Sequence, residues 1–213
     1  MVFKWRNMKK IKYILASLSL LFSAAVFAQE DGLTLKLNYS VAVPTGSYKD
    51  LINNTSYRGF GAELIYHVNT KVSIGLETGS QDFSQKYPRD LYKMPDGSDI
   101  SAVVSNSVQT VPILLKAQYN LLPGKAVQPY IALGAGGNIM TYNQYAGEFS
   151  NDSKTKFGFA ARPEAGVYIP FGKYNRAGLS LGAGYNFMPF NYNGIDNLNN
   201  ITARAGISFP LGQ

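Results

Sequence analysis

Residues 33–43 read LTLKLNYSVAV, in which Leu33, Leu35, Leu37, Tyr39, Val41 and Val43 alternate with Thr34, Lys36, Asn38, Ser40 and Ala42. Successive side chains of a strand point to opposite faces, so a period of two predicts a strand with one apolar and one polar side. The same period recurs over 57–68, 71–81, 108–119, 128–140, 156–169, 177–187 and 200–211. Phe60, Leu64 and Tyr66 share one face of the second segment, and Val111, Ile113 and Leu115 one face of the fourth. The fifth, with YIALGAGGNIM, is apolar or small on both sides; Ile131, Leu133, Ala135 and Ile139 are expected outward. Each segment is close to the roughly 9–11 residues that a tilted strand needs to cross a bilayer.

The connections alternate in length. Those at 69–70, 120–127 and 170–176 are short, whereas those at 44–56, 82–107, 141–155 and 188–199 are long. Short turns on one side and long loops on the other are the arrangement of outer-membrane barrels, and a soluble sandwich has no reason to keep it. The expected fold is therefore all-β: an eight-stranded antiparallel up-and-down transmembrane β-barrel.

The content of the polar faces supports this. In a sandwich they would be long, charged and wet; here they are rich in Gly, Ser, Ala and Asn. Such small residues suit an eight-stranded interior, which side chains alone can fill. The charged residues of the segments are expected on this inner side: Lys36, Glu63, Glu77, Lys116, Arg162, Glu164 and Arg204, in the middle and lower half of the barrel. Buried charges persist when paired. Strand neighbours offer Lys36 to Glu63 and Glu77 to Lys116, with Arg162 and Glu164 two residues apart on one face. The expected result is a polar network that fills the lumen, with a proton or ion pathway as the alternative.

The first residues stand outside this pattern. Lys4, Arg6, Lys9, Lys10 and Lys12 precede an apolar run over 14–22, and Val26-Phe27-Ala28 offers small residues for cleavage after Ala28. Residues 1–28 read as a secretory signal peptide and 29–213 as the barrel domain. MKKIKYIL, from Met8, reads as a bacterial leader by itself. The formal net charge is +7, from 20 basic and 13 acidic residues. Five of the basic residues and none of the acidic ones lie in the leader, so the mature chain carries 15 against 13, or +2. Nucleic-acid binding thereby loses its compositional support. The sequence has no cysteine, which excludes disulfides, thiolate metal sites and a lipoprotein anchor.

The leader MKKIKYILASLSLLFSAAVFAQ, the segments TVPILLKAQYNL and QPYIALGAG, and the end RAGISFPL carry a family resemblance. Over the whole mature chain the sequence resembles the small eight-stranded outer-membrane barrels, in particular the porin-like barrels of Bacteroidetes, with relatives of the OmpA, OmpX and OmpW kinds. Arg204, Gly206, Phe209 and Leu211 resemble a barrel-assembly signal, departing from it at Pro210 and in lacking a final aromatic residue. The resemblance implies the outer membrane of a Gram-negative bacterium, contact with its lipid and lipopolysaccharide, insertion by the barrel-assembly machinery, and a monomer. The motifs specify architecture rather than activity; the leading reading of function is a structural or loop-mediated interaction role. An OmpW-like narrow or lateral conduit for small hydrophobic molecules is the alternative, and a lipid-modifying enzyme the third reading. The chain ends with its last strand, so no periplasmic peptidoglycan-binding domain is expected.

No catalytic, cofactor or metal residues emerge. His67 is the sole histidine and lies at a short-turn end, without a Ser and acid grouping at the long-loop ends. Gly134, Ala135, Gly136 and Gly137 lie within a strand, which argues for close packing rather than phosphate binding. Turns at 96–99 and 151–153 offer oxygen ligands of calcium type but read as ordinary turns. Tyr39, Tyr66, Tyr119, Tyr130, Tyr185 and Phe209, near strand ends, fit interfacial girdles. Gly134, Gly136, Gly182 and Gly184 mark where the cleft of a conduit is expected.

Overall fold

A computed structural model of the chain describes residues 32–93, 99–146, 149–172, 177–192 and 195–211. The signal peptide expected over 1–28, with Val26 and Ala28, lies outside the described residues. Ten strands and one helix follow in order: β1 (Leu33–Pro44), α1 (Tyr48–Leu51), β2 (Ser56–His67), β3 (Val72–Lys93), β4 (Asp99–Asn120), β5 (Gln128–Ala146), β6 (Phe149–Pro170), β7 (Gly178–Asn186), β8 (Pro189–Tyr192), β9 (Ile195–Asn197) and β10 (Asn200–Leu211). Eight of these strands close into an antiparallel barrel in the order β1-β10-β7-β6-β5-β4-β3-β2, while β8 and β9 form a separate hairpin. Closure leaves the membrane-embedded wall without an edge, as a lipid environment requires.

The alternation in sequence becomes the wall of the barrel. Leu37, Phe60, Leu76, Ile113, Leu133, Phe159 and Ile207 are exposed, whereas Lys36, Glu63, Glu77, Lys116, Arg162 and Arg204 are buried. In β5, Ile131, Leu133 and Ile139 face out, as the pattern required. Of the strand-end aromatics, Tyr39, Tyr66, Tyr119, Tyr185 and Phe209 are exposed; Tyr130 is not, and is buried in the lumen instead. Its even position in β5 fixes it inward, and that parity outweighs its place near a strand end. Arg58, a charged residue of the segment 57–68, departs from the expectation that segment charges face inward: it lies on the outer side, 75% exposed, 3.5 Å from Asp82. It sits where β1 and β2 slip register between Ser40 and Ala42, above the apolar band.

Two of the expected long loops are largely strand. β3 runs on to Lys93 and β4 begins at Asp99, and β5 and β6 extend to Ala146 and from Phe149. Beyond Phe83 and Tyr142, which pack into the apolar cluster at the mouth, neither face carries a run of apolar residues in sequence, so the alternation that marks a membrane strand is missing although the ladder continues. The β1–β2 connection instead folds inward. Tyr48 and Ile52 are buried with Phe83, Val108, Met188 and Leu198 in an apolar cluster at the outer mouth. The Tyr48 and Phe83 rings meet edge to face at 5.0 Å. Backbone and side-chain bonds join the two sides of this cap, Thr45 N–H to Asn199 O at 2.8 Å and Asn197 Nδ2 to Ser47 Oγ at 3.0 Å. Gly46, at φ +63°, allows the turn.

Candidate functional site

The ladder register explains how long charged side chains fit an eight-stranded lumen. Lys116 stands between Gly75 and Gly134, and Gly134 in turn faces Arg162. Glu164 faces Gly184, Arg204 faces Gly182, and Asn38 faces Gly206. Each of these five residues, Lys116, Arg162, Glu164, Arg204 and Asn38, thus has a glycine beside it at the same level, which leaves space for the side chain to lie across the interior. The space is taken: a Cβ at Gly182 would lie 2.9 Å from the Tyr130 hydroxyl, and one at Gly184 would lie 3.2 Å from Arg162 Cγ. No cleft opens beside Gly182 or Gly184; Tyr130 and Arg162 fill it.

The structure brings all seven charged residues into one cluster. Lys116 Nζ lies 2.9 Å from Glu63 Oε2, 3.0 Å from Glu164 Oε1 and 3.5 Å from Glu77 Oε2. Arg204 is a second hub, 2.7 Å from Glu63, 2.7 Å from Glu164 and 2.9 Å from Glu77. Lys36 reaches Glu63 at 3.6 Å. The Lys36–Glu63 and Lys116–Glu77 neighbours are present as the sequence suggested, but Arg162 does not pair with Glu164. It crosses the lumen to Glu77 and also donates to Asn186 Oδ1. Two side chains on one strand, two residues apart, point the same way; each therefore meets a partner on the opposite wall more readily than the other.

Three participants were missed. Tyr130 donates to Glu164 Oε1 at 2.9 Å, Asn38 donates to Glu63 Oε1 at 2.8 Å, and Asn186 accepts from Arg162. Inward parity was the signal that would have found all of them. Above the charges lies an uncharged layer, in which Ser40 donates to Gln81 at 2.8 Å, Gln81 to Ser56 Oγ at 2.7 Å, and Asn186 to Asn200 and Thr202 at 2.6 Å each. The space left at this level is about 30 Å³, room for about two waters.

His67 sits at the short-turn end, with hydrogen-bonding contacts to Thr34 Oγ1 at 3.0 Å and Ser73 Oγ at 2.9 Å. Among the described residues no group of His, Asp and Glu is arranged to hold a metal ion. The turn at 96–98 is outside the described residues, as are the side chains of Asp99, Asn151 and Asp152. Of the suggested assembly signal, Arg204 lies in the cluster and Phe209 faces outward. At Gly206 a Cβ would fall 2.1 Å from Asn38 Oδ1.

A closed ring of eight strands with a lipid-facing exterior defines a small transmembrane barrel. The chain belongs to the outer membrane protein beta-barrel domain family, which it matches over residues 14–209. It is thus a protein of the Gram-negative outer membrane, embedded in lipid. The barrel is similar to that of Neisserial surface protein A, with a TM-score of 0.60, 16% identity, and 84% of this chain and 97% of that one covered. Ail of Yersinia pestis, solved with the heparin analogue sucrose octasulfate, gives 0.46 at 13% identity, covering 84% and 99%. OprG of Pseudomonas aeruginosa gives 0.44 at 13% identity, covering 87% and 98%. No curated protein sequence matches the chain. At these identities the likeness concerns the fold.

Proposed function

We propose that this protein is a plugged barrel with a structural or interaction role, presented by its outer hairpins and lipid-facing surface, and that it neither conducts nor catalyses. The observation that carries this reading is the lumen cross-section: two cationic hubs and three carboxylates interlock across the interior, beneath a hydrogen-bonded amide layer and an apolar cap. Export with cleavage after Ala28, insertion by the barrel-assembly machinery through Arg204, Gly206, Phe209 and Leu211, contact with lipopolysaccharide, and a monomeric state belong to the same reading.

One observation favours the lateral-conduit reading instead. The β6–β7 ladder stops at Glu164 and resumes only as the single bridge between Ala161 and Phe187, because Pro163 carries no N–H to donate. A conduit there would need Arg162 and Tyr130 to move. Purified protein in a planar bilayer decides between the two: the plugged barrel shows no steady current, and stable single-channel openings in the unmodified protein overturn it.

A further inference from the structure

The lumen is not filled along its whole length. Below the charge cluster, toward the short turns, a cavity of about 840 Å³ opens between Lys36, Ile65, Gln118, Tyr168 and Phe171. Small-molecule sites span roughly 300–1,000 Å³. Lys36 is its most buried charge, with a side chain 5% exposed. Its pair with Glu63 is long, at 3.6 Å, and its other close neighbour is the face of the Tyr130 ring at 5.2 Å. Glu63 is shared with closer partners, Lys116 at 2.9 Å, Arg204 at 2.7 Å and Asn38 at 2.8 Å. An ammonium carries three donors, so Lys36 retains donor capacity for a ligand.

The charges point the same way. Lys36, Lys116, Arg162 and Arg204 face Glu63, Glu77 and Glu164, which leaves one positive charge in surplus. Lys116 and Arg204 each hold a carboxylate at 2.9 Å or less, and Arg162 holds Glu77 closely, so the surplus falls on Lys36, which borders the cavity. Ser208, directly opposite Lys36 across the β1–β10 ladder, brings a hydroxyl to the same wall.

We propose that this vestibule binds a small amphipathic monoanion, a carboxylate on a short apolar body, with the carboxylate on Lys36 and Ser208 and the body against Ile65 and Phe171. A single negative charge neutralises the buried surplus on Lys36; the other lysine of the lining, Lys125, is exposed to solvent at the rim. The inference rests on the network forming a closed floor, and the two fail separately: an open floor shows as bilayer current, an empty site as absent binding without current.

Hexanoate is the probe, titrated into the full protein in zwitterionic micelles at constant ionic strength, with urea unfolding and lysine ¹⁵N NMR as readouts. A ligand that binds the folded state raises the unfolding midpoint saturably. Hexanoate is expected to do so and to shift the Lys36 resonance, with hexanol and hexylammonium inactive. Its Kd should rise at least tenfold in Lys36→Met and recover in Lys36→Arg. Gln118→Glu, which sets a competing carboxylate beside the cavity without removing a network charge, should weaken binding equally and serves if Lys36→Met does not fold. A midpoint shift shared with hexanol, one unchanged in the folded variants, or tighter binding of inorganic phosphate than of hexanoate overturns the proposal.

Discussion

Glu63 on β2 and Glu77 on β3 face each other directly across the antiparallel ladder, two buried carboxylates in register. Like charges at opposed positions destabilise a sheet, so this pair exists only because cations from elsewhere in the ring clamp it. Arg204 spans both, at 2.7 Å and 2.9 Å, and Lys116 does the same at 2.9 Å and 3.5 Å. β10, which borders neither β2 nor β3 in the wall, is thereby tied to both through the interior, and β4, paired with β3, is tied to β2 as well.

Removing one clamp should therefore cost far more than removing a surface charge. Arg204→Met is expected to destabilise the barrel by about 3–5 kcal/mol, the range for uncompensated buried charge. Adding Glu77→Gln to that variant removes one of the opposed carboxylates and should recover part of the loss. Urea unfolding in micelles checks both, and a double variant weaker than Arg204→Met would contradict the clamp.

The wall of this barrel was legible in sequence because period two is a local signal: Leu37, Ile113 and Leu133 face lipid where alternation put them. The inward set was legible for the same reason. Partner choice was not, since Arg162–Glu77 and Arg204–Glu63 join strands that are not neighbours in the ladder, and sequence order says nothing about distances across a lumen. The outer half of β3 and β4 was missed because beyond Phe83 neither face carries a run of apolar residues in sequence. The cap was missed because α1 has four residues, too few for a helical period to register.

The lipid face gives a depth test. Ile113 and Leu115 are 50% and 71% exposed on β4. Arg at either should cost about 2–4 kcal/mol if they lie near the midplane. Thr70→Arg, in an exposed turn, should be nearly silent. Liposome unfolding of the three variants reads the difference, and equal stabilities would remove the membrane assignment of this face.

Tyr48 is fully buried in the outer cap, and among the described residues its hydroxyl has no hydrogen-bond partner. Burial, with the Asp82 carboxylate nearby, holds its phenol well above the usual tyrosine range. The sign follows: below about pH 10 the phenol is neutral whether docked or free. Above that, the undocked form ionises while the docked form stays neutral, so docking weakens as pH rises. Tyr48→Phe should remove this alkaline sensitivity and strengthen docking by about 1–3 kcal/mol, the usual cost of an unsatisfied buried polar group. Exchange of the Ile52 amide, which donates to Tyr48 O at 2.9 Å, reports the cap; faster exchange in Tyr48→Phe at neutral pH would refute the argument.

Gly134 and Gly136 both face the lumen from β5, yet they should respond differently to the same substitution. A Cβ at Gly136 would lie 2.2 Å from the Ile113 carbonyl oxygen and 3.1 Å from Leu114 Cα, both backbone atoms. The ladder itself would have to move. A Cβ at Gly134 meets Leu114 Cδ1 at 3.1 Å and Leu114 Cβ at 3.5 Å, so a small rotation of one side chain relieves the contact. Overpacking a filled interior costs about 1–3 kcal/mol, and Gly136→Ala is expected at the upper end of that range. Gly134→Ala should fall well below 1 kcal/mol, because a methyl there fills space beside Leu114 and loses conformational freedom only in the unfolded chain. The Gly136 clash is with the backbone of β4, the paired strand, whereas the Gly134 contact is with one side chain, so the two alanines are not equivalent. Urea unfolding of the two variants under one set of conditions reads the difference, and equal midpoints would refute the close approach of β4 and β5 at Gly136.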